Sequence, residues 1–241
     1  MIKLRLTAAL ALLMTLNVSA QSKYGATSED SLACIEALSL YGEFYNQKNY
    51  ADAKTHWLKA MTTCPKSSKN LYIKGVRMYK TFMQENRTNS DLVKAYIDTV
   101  YWIYDRRIES FGEEGKVLGM KGFDMMRYNK SRMAEAYGIL ARSVELQGVK
   151  SNPAVVAAYY QSAYELYKKE EKTKTEIIES YDPVADILTK QLNTAIEKQD
   201  ENAIDRLKKA MAEVEKIFST VASCDDLVEL YQPKFEEHKE D

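Results

Sequence analysis

Proline and glycine are scarce in this chain of 241 residues, which contains four prolines and nine glycines. β-Sandwiches and barrels require many tight turns, and tight turns depend heavily on these two residues. Ala, Leu, Lys, Glu, Met and Gln, which are good helix formers, are abundant instead. The composition therefore predicts an all-α protein.

Histidine is nearly absent, since the chain has only His56 and His238. A hydrolytic triad or a histidine-based metal site would have to use one of them, and no supporting motif surrounds either residue. No glycine-rich phosphate loop follows a strand pattern. The acidic pairs lack the spacing of a calcium loop. We therefore expect a protein that is not an enzyme, with no catalytic residue, metal or cofactor.

Long apolar runs are confined to the start of the chain. Lys3 and Arg5 precede the apolar run Leu6 to Leu16, and the small residues of Val18-Ser19-Ala20 follow. This order predicts a signal peptide over residues 1–20 that is cleaved before Gln21. A membrane-spanning helix would need about 20 apolar residues, so a membrane anchor is disfavoured. We expect export to the periplasm or an association with the outer membrane.

An excess of basic residues is also missing. The whole chain has 34 basic and 35 acidic residues, and removal of Lys3 and Arg5 leaves 34 − 2 = 32 against 35, a net charge of −3. Nucleic-acid and anionic-membrane surfaces usually show a basic excess on one face. We therefore expect no nucleic-acid partner.

The segment from Cys34 to Pro65 has the spacing of two helices joined by a short turn and ended by proline. Seven of its residues lie at the offsets of the tetratricopeptide (TPR) motif, with Ala37 in place of the early tryptophan. These residues are Leu40, Phe44, Tyr50, Ala53, Trp57, Ala60 and Pro65. Small Ala53 and Ala60 would let the two helices approach closely. The segment resembles a TPR repeat, although two amphipathic helices can match this degenerate pattern by chance.

Two further stretches resemble the first helix of a repeat. They are Lys74-Gly75-Val76-Arg77-Met78 and Lys121-Gly122-Phe123-Asp124-Met125, and their glycines would lie where neighbouring helices touch. The matching second helices are predicted over residues 91–110 and 130–146, with Ala95 and Ala134 near the small-residue position. We expect about three TPR-like repeats over residues 21–150, stacked as a right-handed solenoid of helical hairpins.

The sequence pattern of residues 151–241 predicts longer antiparallel helix pairs. Asn152-Pro153 is a typical helix start. Pro183 predicts a kink or break near Tyr181-Asp182. Apolar residues spaced three and four apart continue from Ile204 to Val221. A last helix after Ser223 carries Leu227, Leu230, Tyr231 and Phe235, which indicates the start of a further repeat that needs more chain or a partner to cover it.

The resemblance extends to exported TPR proteins of Bacteroidota. It is carried by residues 40–50, by Cys64-Pro65 with the stretch 68–73, and by Cys224-Asp225-Asp226-Leu227. It implies a repeat fold and a location in the cell envelope. It implies no enzymatic activity.

The concave face of a TPR stack is lined by the first helix of each repeat, and it is the expected binding surface for a protein or peptide partner. In the predicted register that face carries Tyr45, Asn46, Tyr72, Tyr79, Lys80, Met120, Phe123, Met126 and Arg127. Aromatic and Met side chains edged with polar and basic groups are typical of a peptide groove. A scaffold or adaptor is therefore the predicted function.

Two other functions remain open at this level. One is a structural repeat module of a larger envelope assembly without a ligand groove. The other is a helical solute-binding protein or enzyme, for which the sequence offers no buried polar constellation. An accessible strip of Tyr45, Tyr79 and Phe123 would favour the adaptor, and burial of that strip would favour the structural module.

Cys34 and Cys64 are expected at the same end of the first helical hairpin. Export would permit a disulfide between them, and two packed free thiols are the alternative. Cys224 would then be left as a free thiol.

Overall fold

The computed structural model describes residues 23–237. The predicted signal peptide, residues 1–20, and His238 lie outside this range. Within it the chain is all-helical and contains no strand, which confirms the prediction of an all-α protein. No described helix is both long and apolar enough to cross a membrane.

Eleven α-helices follow one another along the described part of the chain. They are α1 (Ser28–Asn46), α2 (Tyr50–Thr63), α3 (Lys69–Glu85), α4 (Ser90–Phe111), α5 (Glu114–Tyr128), α6 (Met133–Gln147), α7 (Pro153–Tyr167), α8 (Lys174–Glu179), α9 (Tyr181–Glu197), α10 (Glu201–Val221) and α11 (Cys224–Glu237). Short 3₁₀ turns, Lys130–Arg132 and Gly148–Lys150, precede α6 and α7. The chain divides into two compact units, residues 1–78 and 79–241, and the boundary falls inside α3.

In the first unit, α1 and α2 form an antiparallel pair. The Thr27 hydroxyl accepts a hydrogen bond from the Asp30 amide, and the Asp30 carboxylate accepts one from the Thr27 amide, so the first turn of α1 is capped. A disulfide joins Cys34 near the start of α1 to Cys64 just after α2, with a Cα–Cα distance of 5.9 Å. The disulfide fixes one end of the pair of helices. Cys224 is an exposed free thiol.

Trp57 is the centre of the first unit. Its side chain is fully buried, and its indole N–H donates to the Leu71 carbonyl of α3 at 2.8 Å. A Cβ at Gly75 would lie only 2.7 Å from the Trp57 ring, so α3 can pack here because residue 75 has no side chain. Ala53 and Ala60 are also fully buried, as the repeat spacing predicts.

In the second unit, the helix boundaries follow local sequence signals. The Asn152 side chain accepts from the Ala154 amide, and Pro153 is the first residue of α7. The break predicted near Tyr181-Asp182 falls at Ser180, between α8 and α9. Pro183 lies in the first turn of α9, where a missing amide hydrogen leaves no intrahelical bond unmade.

The core of the second unit surrounds α7, which contacts α5, α6, α9 and α10. Tyr160 of α7 is fully buried and donates a hydrogen bond to the Ile177 carbonyl at 3.1 Å. Gly122 lies against α6, where a Cβ would approach Leu140 to 2.7 Å, as predicted. The register predicted for the second helices is wrong in detail, because Ala95 and Ala134 are exposed. The fully buried alanine of α6 is Ala136.

The last helix, α11, begins with a cap in which the Ser223 amide donates to the Asp226 carboxylate at 2.7 Å. Leu227 and Leu230 are partly buried against the core of the second unit. The side chains of Tyr231 and Phe235, the other members of the predicted apolar stripe, lie outside the described part of the structure.

Candidate functional site

Three of the nine residues predicted to bind a partner belong to the first unit, and two of those three are core residues. Tyr45 is 8% exposed, with its ring edge-on to Tyr41 at 5.7 Å and the Lys74 ammonium 4.9 Å from its centroid. Tyr72 is fully buried and donates its hydroxyl to the Pro65 carbonyl at 3.0 Å. Only Asn46 is exposed. The aromatic strip expected here is therefore part of the packing of this unit.

Tyr79, at the start of the second unit, is also a core residue. Its ring meets Phe82 at 5.6 Å and Tyr96 at 5.7 Å, both in edge-on geometry. Burial, with a smaller contribution from Tyr96, raises the pKa of Tyr79 to about 12. The neutral phenol is thus favoured, as for a packed aromatic residue.

Lys80 pairs with a buried carboxylate on another helix. Its ammonium lies 2.7 Å from Oδ1 and 2.6 Å from Oδ2 of Asp124, a residue that is only 4% exposed. Tyr104 donates its hydroxyl to Asp124 Oδ2 at 2.7 Å, and burial together with the Asp124 charge raises the pKa of Tyr104. Lys80 therefore compensates a buried charge, which is costly to leave unpaired.

Asp124 and Tyr104 were not singled out by the sequence reasoning. Asp124 is separated from Lys80 by 44 positions and from Tyr104 by 20. The one local signal was an acid within the apolar stretch Gly122 to Met126, because buried acids are rare unless they are paired. Nothing local identified its two partners.

The remaining predicted residues lie on α5, which leaves part of its surface uncovered. Met120, Phe123 and Arg127 follow the spacing i, i+3, i+7, so they share one helix face, and Lys116 extends it by one turn. Met120 and Phe123 are partly exposed, while Lys116 and Arg127 are exposed. We call these four residues the α5 stripe. Met126 borders the stripe, and both Phe123 and Met126 pack against the core of the second unit.

A second face of α5, formed by glycines, holds the helix in place. Added Cβ atoms would approach Gln147 to 2.8 Å from Gly115, the Ser143 hydroxyl to 2.8 Å from Gly119, and Leu140 to 2.7 Å from Gly122. The Ser143 hydroxyl also donates to the Gly115 carbonyl at 2.7 Å. Close packing against α6 fixes α5, so the α5 stripe sits on a rigid support.

The charges of the α5 stripe are of one sign. Lys116 and Arg127 are separated by about 16 Å along the helix axis, from a rise of about 1.5 Å per residue. Neither forms an ion pair with any residue in the described range, and the Arg127 guanidinium lies 5.4 Å from the centroid of the Tyr128 ring. The stripe therefore offers a partly exposed apolar centre between two available cations.

No group of three or more His, Cys, Asp or Glu residues among those described could hold a metal ion. Comparison of the chain with models of known protein families, and with curated proteins, found no match.

Proposed function

We propose that this chain is a non-catalytic adaptor of the cell envelope, in which TPR-like hairpins form a right-handed solenoid that continues into longer antiparallel helix pairs. In this proposal the chain is exported to the periplasm or associates with the outer membrane. It binds a segment of another protein, and it binds no nucleic acid.

The binding proposal rests on one observation, a difference in solvent exposure among the nine residues predicted to bind a partner. Tyr45, Tyr72 and Tyr79 are buried, whereas Met120 and Phe123 keep exposed surface between two unpaired cations. Met120, Phe123 and Arg127 of the α5 stripe are thus predicted groove residues that keep accessible surface, as does Asn46 in the first unit. Apolar and aromatic anchors supply most of the affinity at protein interfaces, while peripheral charges mainly speed association.

The packing of the second unit supports a repeat arrangement. α5 contacts α6, α6 contacts α7, and α5 also contacts α7. In a stack of hairpins the first helix of one pair, here α7, meets both helices of the preceding pair, so these contacts agree with the proposal. The segment expected on the α5 stripe is acidic with at least one apolar anchor, because the stripe has two cations and no acid.

A random peptide library displayed on phage and selected against the mature chain provides ligands of defined sequence. We expect selected peptides to combine an aromatic or aliphatic residue with nearby Asp or Glu. Fluorescence anisotropy then measures their affinity. Phe123→Ala should weaken binding at least about tenfold, because truncating an anchor costs roughly 2 kcal/mol. Arg127→Gln should weaken it less and reduce its salt dependence.

The matched control is Ile196→Ala, which removes an apolar side chain that is 53% exposed on α9. Binding should be unchanged in this variant. Equal losses in the Phe123 and Ile196 variants, or no loss in the Phe123 variant, would contradict the proposed surface.

The burial of Tyr45, Tyr72 and Tyr79 favours a second function, a structural module of a larger assembly without a groove for a peptide. This module would select no consistent peptide motif, and its contacts would involve large surfaces. The peptide selection therefore distinguishes the two functions.

A further inference from the structure

A cavity of about 560 Å³ opens between α9, α10 and the segment that leads into α7. Ligand sites commonly occupy about 300–1,000 Å³, so this cavity can hold a small organic molecule. Its apolar lining comes from Val149, Pro153, Ala195, Ala203 and Leu207. Its polar lining comes from Lys190, Gln191, Thr194, Lys198, Asp200 and Arg206.

Hydrogen bonds from Gln191 hold one wall of the cavity. Its side-chain amide donates to the Val149 carbonyl at 2.8 Å and to the Ser151 carbonyl at 2.7 Å. These two bonds tie the segment before α7 to α9 and fix the orientation of the Gln191 amide. They leave Gln191 Oε1 buried, with no hydrogen-bond partner among the described residues. The wall is therefore preformed.

The cations around the cavity differ in their availability. Lys190 is paired with Asp186 at 2.7 Å. Lys198 and Arg206 are exposed, and neither forms an ion pair with another described residue. The one carboxylate of the lining, Asp200, caps α10 by accepting from the Ala203 amide at 2.9 Å. The cavity thus combines an apolar wall with two available positive charges.

We propose that this cavity binds an aliphatic monocarboxylate. The alkyl chain lies against Val149, Ala195 and Leu207, and the carboxylate is held by Lys198 and Arg206. An arginine fork matches the two oxygens of a carboxylate, and each methylene group buried against the apolar wall adds to the affinity. This site uses none of the residues of the α5 stripe, so either proposal can fail without the other.

Sodium octanoate is the probe, and titration calorimetry of the full mature chain is the measurement. We expect saturable binding of one octanoate per chain that weakens as salt concentration rises. Acetate, which lacks the chain, and octyltrimethylammonium, which carries the opposite charge, should not bind. Equal binding of octanoate and octyltrimethylammonium would overturn the proposal.

The double variant Lys198→Gln/Arg206→Gln should weaken octanoate binding roughly tenfold or more, because the carboxylate would lose both of its charged partners. The control Lys208→Gln/Lys209→Gln removes the same charge from exposed positions on α10 that do not line the cavity. It should bind octanoate as the unaltered chain does. An unchanged affinity in the first variant, or an equal loss in both, would overturn the assignment.

A measurement on the unaltered chain covers the case in which the double variant misfolds. Methyl resonances of Val149, Ala195 and Ala203 should shift on octanoate addition, while that of Ala53 in the first unit should not. The absence of shifts at the three cavity positions would overturn the proposal.

Discussion

In the first unit a disulfide and one tryptophan join the helices, whereas in the second unit ion pairs and hydrogen bonds to buried groups connect them. Cys34–Cys64 and the bond from Trp57 to the Leu71 carbonyl belong to residues 1–78. The Lys80–Asp124 pair belongs to residues 79–241. The first arrangement depends on a covalent bond and on the packing and hydrogen bond of one tryptophan. The second depends on the buried Asp124 carboxylate keeping its partners, and this difference can be tested by mutation.

The largest effect is expected from Trp57→Ala in the first unit. Removing a fully buried aromatic side chain typically costs about 3–5 kcal/mol, and here it also leaves the Leu71 carbonyl without its indole donor. Urea unfolding followed by circular dichroism measures the loss. If the free energy of unfolding falls by less than about 1 kcal/mol, Trp57 is not central to the packing.

Lys80→Met should destabilise the second unit by about 3 kcal/mol, because Asp124 would remain buried without its cation. The double variant Lys80→Met/Asp124→Asn should recover most of this loss, since no uncompensated charge remains. The fluorescence of Trp102, the only tryptophan of the second unit, reports the unfolding. If Lys80→Met unfolds like the unaltered chain, Lys80 is available for a partner and the interpretation of the pair is wrong.

Replacing Cys34 and Cys64 by Ala should lower the stability of the first unit by about 2–4 kcal/mol, the usual range for loss of a disulfide. Cys224→Ala is the control, because this thiol is exposed and unbonded, and it should change stability by less than about 0.5 kcal/mol. Urea midpoints under non-reducing conditions give both values. Similar midpoints for all three proteins would indicate that the disulfide contributes little.

The smallest expected effect is a change in how stability declines at alkaline pH. Burial raises the pKa of Tyr79 and of Tyr101 to about 12, above the ordinary value of about 10. Because the folded-state pKa is raised, the neutral phenol contributes stability that is fully present below about pH 10. This contribution is lost as the pH rises from about 10 toward 12. Tyr79→Phe should therefore flatten the decline in thermal stability over this interval. The same slope in both proteins would contradict the assignment of Tyr79 to the core.

Local signals in the sequence identified much of the fold. The Asn152-Pro153 start of α7 and the break at Ser180 depend on neighbouring residues, so they could be predicted. Gly75 and Gly122 were recognisable because each lies within a short motif, and close helix contact requires the absence of a side chain there. The second helices carry a weaker pattern, and this is why Ala95 and Ala134 were placed in the wrong register.

The candidate site was less accessible to sequence reasoning. Aromatic residues at helical spacing look the same whether they face a groove or the core, so Tyr45 and Tyr79 could not be separated from Phe123. The role of Lys80 depends on Asp124 and Tyr104, which come from two other helices. Such long-range pairing leaves no periodic pattern, and only the folded arrangement reveals it.

Photocrosslinking in envelope preparations tests the central proposal most directly. A benzophenone side chain replaces Met120 on the α5 stripe in one variant of the full chain, and Ile196 on the exposed surface of α9 in another. We expect one discrete adduct from position 120, which Arg127→Gln reduces at low salt and affects less at raised salt, and no such adduct from position 196. The same adduct from both positions, or none from position 120, would contradict the proposal that the α5 stripe binds a protein segment.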